Sequence, residues 1–246
     1  MCTISFVPVS TERWLLGMNR DERKNRATAI PPELHHTERG TAYLSPIDAE
    51  AGGTWIGINA HGLILMLINN YQAVNPEAAH RSDLLSRGLI IPELMDSTTV
   101  DQVLNATKQT DPGRYNPFTL FVFARREQRI AYYGWDGTSV DTGDISPEPL
   151  IRISSGFDPD EAYRVRYEDF SRRFGNGQNI NVDWIKSLHQ STWPEPGALS
   201  IAMIQQHVMS VSASVLEVTP GKGELHYCNG WPGDTKSWIG STISFE

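Results

Sequence analysis

The strand-length run from Leu63 to Asn69 constrains the fold more than any other stretch of this sequence. It follows a turn at residues 59–62, so it is predicted to pair with residues 52–59 as a hairpin. Its first six residues are apolar, and they alternate between both faces of the strand. The sheet that contains this strand must therefore be covered on both sides, which favours a layered architecture of sheets and helices.

The other sequence patterns place strands near both ends of the chain and helices in its middle. Composition and alternation predict further strands at residues 4–7, 14–18, 41–44, 118–124, 130–135, 149–154, 198–204, 212–218, 224–229 and 238–244. Helical spacing and caps predict helices at residues 82–94, 99–107, 160–174 and 182–189, and residues 23–38 are predicted to be a loop. Strands and helices segregated in this way favour an α+β fold with largely antiparallel sheets. Because no linker or composition break interrupts the chain, residues 1–246 are predicted to form a single domain.

Composition narrows the function classes. The net charge of −8 argues against nucleic acid as a partner, and 39% hydrophobic residues argue against a disordered acidic chain. The sequence contains no apolar run of membrane-spanning length, and its first sixteen residues lack the pattern of a signal peptide. With only two cysteines, Cys2 and Cys228, a disulfide framework is not predicted, and the expected location is the cytoplasm.

Neither a metal site nor a cofactor is predicted. The seven histidines are scattered, and no pair has the i, i+4 spacing of a zinc site on a helix. A phosphate-binding glycine loop is also absent from the sequence. The aromatic residues of the third predicted helix, Tyr163, Tyr167, Phe170 and Phe174, recur at helical spacing and are predicted to pack in the core.

The chemistry of the sequence is concentrated in its first twenty-two residues. Once Met1 is removed, Cys2 carries a thiol and a free α-amine. In model peptides these groups have pKa values of about 8.5 and about 7.7–8.0, respectively. The amine can take the thiol proton as sulfur attacks a carbonyl and return it to the leaving amine. Arg20 and Asp21 follow on the return strand of a predicted hairpin, where a guanidinium would favour the thiolate and a carboxylate would orient the amine.

From the residues alone, a second interpretation of this stretch stays open. Cys2 can be a buried structural cysteine, and residues 19–22 can be a solvated polar turn after a strand.

Several motifs together resemble one protein family. The chain begins Met-Cys-Thr-Ile, carries Asn-Arg-Asp-Glu at residues 19–22 and Ala-Gly-Gly-Thr-Trp-Ile-Gly at residues 51–57, and continues with Asn59-x-x-Gly62-Leu63. Ser-Arg-Gly-Leu at residues 86–89 and Tyr-Asn-Pro-Phe at residues 115–118 extend the match. These motifs are similar to those of the NRDE family, also called the Transport and Golgi organisation 2 family. That family in turn resembles the N-terminal nucleophile hydrolases, which include conjugated bile acid hydrolases and penicillin V acylases.

The resemblance implies a four-layer αββα sandwich of two antiparallel sheets and a mature N-terminal Cys2 as nucleophile. Of the hydrolase motif Gly-Arg-Asn-x-Asp, the chain matches Gly17, Asn19 and Asp21, whereas Met18 stands where those enzymes have arginine. Arg20, two residues later on the same strand face, is the candidate guanidinium.

The resemblance also implies the remaining site positions. Asn69, or its neighbour Asn70, corresponds to an oxyanion-hole residue. Ser155, within Ser-Ser-Gly at residues 154–156, falls where the hydrolases have a second asparagine, and residues 209–212 fall near their late arginine.

Two functions follow as expectations. The first is hydrolysis of a carbon-nitrogen amide bond in a small molecule, with Cys2, Arg20, Asp21 and Asn69 as catalytic residues and Asn19, Asn70 and Ser155 as supporting candidates. The second is a non-catalytic binding or trafficking protein on the same fold, with haem or a lipid or acyl group as ligand. Substrate identity and oligomeric state are not predicted by the sequence.

Overall fold

The computed structural model describes residues 2–71, 81–175, 179–234 and 237–246. The strands run in the order β1 (Cys2–Ser10), β2 (Arg13–Arg23), β3 (Ile30–His36), β4 (Ala42–Ile47), β5 (Ile56–Asn59), β6 (Leu63–Asn69), β7 (Phe118–Ala124), β8 (Arg129–Trp135), β9 (Val140–Ile145), β10 (Leu150–Ser154), β11 (Val208–Thr219), β12 (Lys222–Asn229) and β13 (Ile239–Ser244). The helices are α1 (Ile90–Leu94), α2 (Val100–Gln109), α3 (Pro159–Gly175) and α4 (Val182–His189). The predicted α+β class with two antiparallel sheets is confirmed.

The chain divides into two compact units. Unit 1 comprises residues 1–28, 148–219 and 224–240, and unit 2 comprises residues 29–147, 220–223 and 241–246. One sheet has six strands in the order β10-β1-β2-β11-β12-β13, and the other has seven in the order β3-β4-β5-β6-β7-β8-β9. The single-domain expectation for residues 1–246 stays a prediction.

In unit 1, helix α4 covers one face of the sheet around β2 and β11. Its apolar side chains Trp184, Ile185 and Leu188 join a buried cluster with Leu15 of β2 and Val215 of β11. Asn181 caps the helix, because its side-chain oxygen accepts a hydrogen bond from the backbone N–H of Trp184 at 3.0 Å. The cap and the apolar face together fix α4 against the strand that carries residues 19–21.

In unit 2, β6 lies near the centre of the seven-stranded sheet. Every residue from Leu63 to Ile68 is buried, so the prediction that this strand is buried on both faces is confirmed. Helices α1 and α2 contribute the side chains of Ile91 and Val103 to the same buried cluster as Leu65.

Two glycine motifs of the sequence meet in unit 2. A Cβ atom on Gly53 would lie 2.4 Å from the backbone carbonyl carbon of Gly88, so only glycine permits this approach. The backbone N–H of Thr54 donates to the Gly88 carbonyl at 2.9 Å. The Gly88 carbonyl therefore bonds a distant segment and not the next turn of a helix. The predicted helix start at residue 82 is wrong, since α1 begins only at Ile90.

Two further element predictions are wrong for identifiable reasons. Part of the predicted loop at residues 23–38 is β3, an edge strand whose register with β4 shifts between Ile30 and Glu33, around Pro31 and Pro32. The predicted strand at residues 198–204 is irregular, because its backbone groups bond to side chains and loops, such as the Ala202 N–H to the Ser191 carbonyl at 2.8 Å.

The buried face of α3 differs from the predicted one. Phe170 is 4% exposed, but Tyr163 and Tyr167 are 45% and 49% exposed and stack on each other at the surface. The face that packs inward carries Ala162, Val165, Arg166, Asp169 and Phe170. The predicted aromatic core stripe is therefore wrong, because the buried polar residues Arg166, which bonds Thr3, and Asp169, which accepts from Arg172, occupy positions that periodicity alone assigned to solvent.

None of the helices within the described ranges is long and apolar enough to cross a bilayer.

Candidate active site

Cys2 lies in a row of side chains that crosses the unit 1 sheet. On β1 it stands directly opposite Arg20 of β2 on one side and Ser154 of β10 on the other. Arg20 in turn stands opposite Ser212 of β11. Side chains that are directly opposite in neighbouring strands share a face of the sheet. The register therefore brings a thiol, a guanidinium and two hydroxyls onto one face.

A β-bulge in β11 adjoins this row. Asp21 pairs with Ser210 and Arg20 pairs with Ser212, so the register shifts by one residue at Val211. Bulges of this kind occur next to active sites, where they change the direction of side chains. Tyr227 of β12 is fully buried nearby, and burial raises its pKa while the Arg20 charge lowers it.

The Cys2 thiol is buried, with 7% of the residue exposed. Burial raises the pKa of the thiol above its ordinary value, since a thiolate is costly to desolvate. A hydrogen bond from the Asp21 backbone and the charge of Arg20 lower it in part. The thiol is therefore mainly protonated at neutral pH, and a reaction at sulfur requires a base.

Asp21 lies on the opposite face of the sheet, towards α3. Its Oδ1 accepts a hydrogen bond from the Ser210 hydroxyl at 2.6 Å, and its Oδ2 lies 3.8 Å from Nη1 of Arg166. Burial raises the pKa of the Asp21 carboxyl, while Arg166 and Ser210 lower it. Cys2 and Asp21 are thus connected through the backbone of β2, with their side chains on different faces.

Arg166 of α3 is fully buried and ties this end of the sheet together. Its Nη1 donates to the Thr3 hydroxyl at 2.6 Å. The remaining donors reach the irregular segment after α4, where Nε bonds the Leu199 carbonyl at 3.2 Å and Nη2 bonds the Ala198 carbonyl at 3.1 Å. Helix α3, strand β1 and this segment are therefore held by one side chain.

A second buried network supports Asn19. The Asn19 amide donates to the carbonyls of His189 and Ile201 at 2.9 and 2.8 Å, which leaves its Oδ1 as an acceptor for His189 Nδ1 at 2.8 Å. His189 Nε2 consequently accepts from the Ser5 hydroxyl at 2.7 Å. All three side chains are fully buried, and burial lowers the pKa of His189 to about 3. The network holds a neutral imidazole and has a structural role.

Of the other predicted site residues, Ser155 lies in unit 1 and the two asparagines lie in unit 2. The Ser155 hydroxyl donates to the Phe157 carbonyl at 2.6 Å, so it closes a turn after β10. Asn69 ends β6, where its amide donates to the Tyr71 hydroxyl at 2.6 Å, and the Asn70 backbone N–H bonds the Pro117 carbonyl. The roles assigned to these residues stay predictions.

Arg166 and His189 are site residues that sequence reasoning missed. A signal exists for Arg166, because Ala162, Val165, Arg166 and Asp169 follow the i, i+3, i+4, i+7 spacing of a buried helix face. His189 likewise follows Ile185 and Leu188 at the i, i+3, i+4 spacing of a buried helix face, but its partners lie 170 and 184 residues away, so no local signal identifies them.

Within the described part of the chain, no three histidine, cysteine or acidic side chains converge as ligands for a metal ion.

Comparison with known proteins gives two independent likenesses. The model of the family "Transport and Golgi organisation 2" matches residues 1–163. The mouse and human Transport and Golgi organisation 2 homologues are each 28% identical over 162 residues, which is 61% of this chain and 53% of theirs. The chain thus matches about half the length of these curated relatives.

The fold is similar to that of solved hydrolases. The Caenorhabditis elegans orthologue of N-acylethanolamine-hydrolyzing acid amidase superposes with a TM-score of 0.61 at 11% identity, covering 100% of both chains. A mutant of conjugated bile acid hydrolase from Clostridium perfringens superposes with a TM-score of 0.60 at 10% identity, covering 100% of this chain and 97% of that one. At such identities the likeness establishes the fold.

Proposed function

Since the chain belongs to the Transport and Golgi organisation 2 family and has the fold of N-terminal nucleophile hydrolases, we propose that it hydrolyses a carbon-nitrogen amide bond of a small molecule, with Cys2 as nucleophile. The observation that carries the proposal is the register of β1, in which Cys2 lies opposite Arg20 and beside Ser154. Both cysteines are free, which agrees with a reducing cytoplasm as the place of action.

The proposed reaction needs the free amine of Cys2 after removal of Met1. The amine takes the thiol proton while Sγ attacks the carbonyl carbon, and the carbon-nitrogen bond breaks as that proton passes to the leaving nitrogen. Water then attacks the thioester, which releases a carboxylic acid and restores the thiol. Arg20 favours the thiolate, Asp21 orients the amine, and Asn19 holds β2 in place through His189. A hydrogen-bond donor that faces the tetrahedral oxyanion would stabilise it by about 3 kcal/mol.

A second candidate function is a non-catalytic binding protein for an acyl-containing ligand on the same fold. One observation favours it: the Cys2 thiol is buried and burial raises its pKa, as expected of a structural cysteine. Because fold alone does not fix function, the two candidates are separated by experiment.

The first prediction concerns Cys2 itself. Intact mass spectrometry of the purified protein is expected to show a mass without Met1, since the proposed base is the Cys2 amine. A thiol-reactive acyl probe is expected to label the wild type at Cys2, and Cys2→Ala is expected to reduce this labelling to background. Cys228→Ala is the matched control, because Cys228 is the only other thiol, and it should leave labelling at Cys2 unchanged.

Retention of Met1, or equal probe labelling of the Cys2→Ala variant, would refute the proposed hydrolase. Cys2→Ser distinguishes the two candidates once a ligand is found. A hydrolase loses turnover with this substitution, whereas a binding protein keeps its affinity.

A further inference from the structure

We propose that Arg166 is a positioning residue of the Cys2 site, which fixes the start of β1 through Thr3 and balances the Asp21 carboxylate so that a thiolate can form at Cys2. This inference rests on the proposed function. It gives a role to a buried arginine of α3, which lies outside the row of side chains that contains Cys2 and Arg20.

The contacts of Arg166 converge on the residues next to Cys2. Its shortest hydrogen bond, 2.6 Å, goes to the hydroxyl of Thr3, the residue that follows Cys2 in β1. Nη1 of the same guanidinium lies 3.8 Å from Oδ2 of Asp21, whose backbone bonds the Cys2 sulfur. Arg166 also interacts electrostatically with Cys2. One guanidinium therefore acts on the strand, on the carboxylate and on the thiol.

Stability alone is a weak reason for an arginine at this position. Residues Ala162, Val165 and Phe170 on the same face of α3 are buried, so apolar side chains in place of both Arg166 and Asp21 would complete the packing without desolvating two charges. Buried ion pairs can often be replaced by apolar side chains without loss of stability. The Arg166–Asp21 separation of 3.8 Å is also longer than that of a direct bidentate pair. A charge held in this way points to an electrostatic role.

The charges around Cys2 show what that role is. From β2, Asp21 raises the pKa of the thiol and Arg20 lowers it. The facing strand β10 presents the uncharged Ser154, and the histidine of α4, His189, is neutral. The N-terminal amine also lowers the pKa of the thiol, and Arg166 of α3 supplies a further positive charge. Without it, a thiolate at Cys2 would lose the attraction of this guanidinium.

The experiment measures the alkylation rate of Cys2 by iodoacetamide as a function of pH, with the modified peptide located by mass spectrometry. Arg166→Gln and Arg166→Lys are compared in a Cys228→Ala background. The Gln variant is expected to shift the midpoint of the rate profile upward by about one pH unit, so that alkylation below the midpoint slows about tenfold. The Lys variant keeps the positive charge but loses the guanidinium's hydrogen bonds to Leu199 and Ala198, so its midpoint is expected to shift by less than that of the Gln variant.

A purely structural role predicts the opposite sign. Loss of packing would expose the buried Cys2, which would speed alkylation and lower the midpoint, because burial is what raises the pKa of the thiol, and that result would overturn the proposal. If the Gln variant does not fold, Thr3→Val removes the shortest hydrogen bond of Arg166 while it keeps every charge. It should slow alkylation severalfold, and an unchanged rate would contradict the positioning role.

The outcomes separate this inference from the proposed function. A Cys2 that is N-terminal and reactive in the wild type, but indifferent to Arg166, overturns only the role of Arg166. A wild-type Cys2 that resists alkylation across the pH range overturns both.

Discussion

Substitution of Gly17 by alanine is expected to lower the free energy of unfolding by about 3–5 kcal/mol, since overpacking and loss of buried hydrogen bonds add. Gly17 lies in β2, and a Cβ atom there would stand 2.2 Å from Nε2 of His189 and 2.9 Å from Cγ2 of Ile185. The imidazole cannot move away without breaking its hydrogen bonds to Ser5 and Asn19. Urea denaturation at pH 7.5, followed by tryptophan fluorescence, measures the loss.

Gly240→Ala is the matched control for this substitution. Gly240 also lies in a strand, but its added Cβ would meet only Nδ1 of His226, at an ordinary 3.8 Å. The control is expected to be neutral or to stabilise by up to about 1 kcal/mol, because alanine restricts the unfolded chain. Equal unfolding midpoints for the two variants would show that His189 does not pack against Gly17 as described.

Acidification is expected to destabilise the protein through His189. Its pKa is lowered to about 3 by burial, whereas a histidine in the unfolded chain has a pKa of about 6.5. Between these values the unfolded chain binds a proton that the folded chain does not, so stability falls as the pH decreases from about 6.5 to about 3. This histidine alone is expected to reduce the free energy of unfolding by about 2 kcal/mol between pH 7.5 and pH 5. Denaturation curves at intermediate pH values measure the slope.

The variant His189→Gln isolates this contribution from that of Asp21. Burial raises the pKa of the Asp21 carboxyl, so the folded state gains a proton there as the pH falls and the slope from His189 is partly offset. Because Asp21 is present in both proteins, its contribution cancels. The free energy of unfolding of the wild type minus that of His189→Gln should therefore decrease as the pH falls, since only the wild type loses stability through His189. His207→Gln, at an exposed position, should leave the wild-type slope intact. A wild-type minus His189→Gln difference that is constant with pH would contradict a buried neutral imidazole.

The sequence was informative where the signal is local. The continuous apolar run of β6 and the composition of β7, β8 and β12 depend on each residue and its near neighbours, and these strands appear close to the predicted bounds. The predicted hairpin of residues 4–7 and 14–18 also forms, as β1 and β2, and it places Arg20 directly opposite Cys2. The location of the candidate site at the start of the chain could thus be predicted from residues 2–21.

Local signals failed where a distant segment takes over the backbone or the side chain. The carbonyl of Gly88 accepts a hydrogen bond from Thr54, and the helix that was predicted to begin at residue 82 does not form there. On α3, Tyr163 and Tyr167 were predicted to be buried but are exposed, whereas Arg166 and Asp169 are buried. In each case a hydrogen bond or an ion pair outweighs helical propensity or periodicity.

The sequence by itself determined the α+β class, the order of most strands and the position of Cys2 in the same hairpin as Arg20, because each depends on short-range patterns or on residues within one hairpin. Tertiary structure alone decided which side chains pack against β1. Arg166 reaches Thr3 across 163 residues and His189 reaches Ser5 across 184, and such contacts exist only after α3 and α4 have packed on the sheet. The physical reason is that hydrophobic periodicity specifies which face of an element is buried, whereas the partner it meets is chosen by the packing of the whole core.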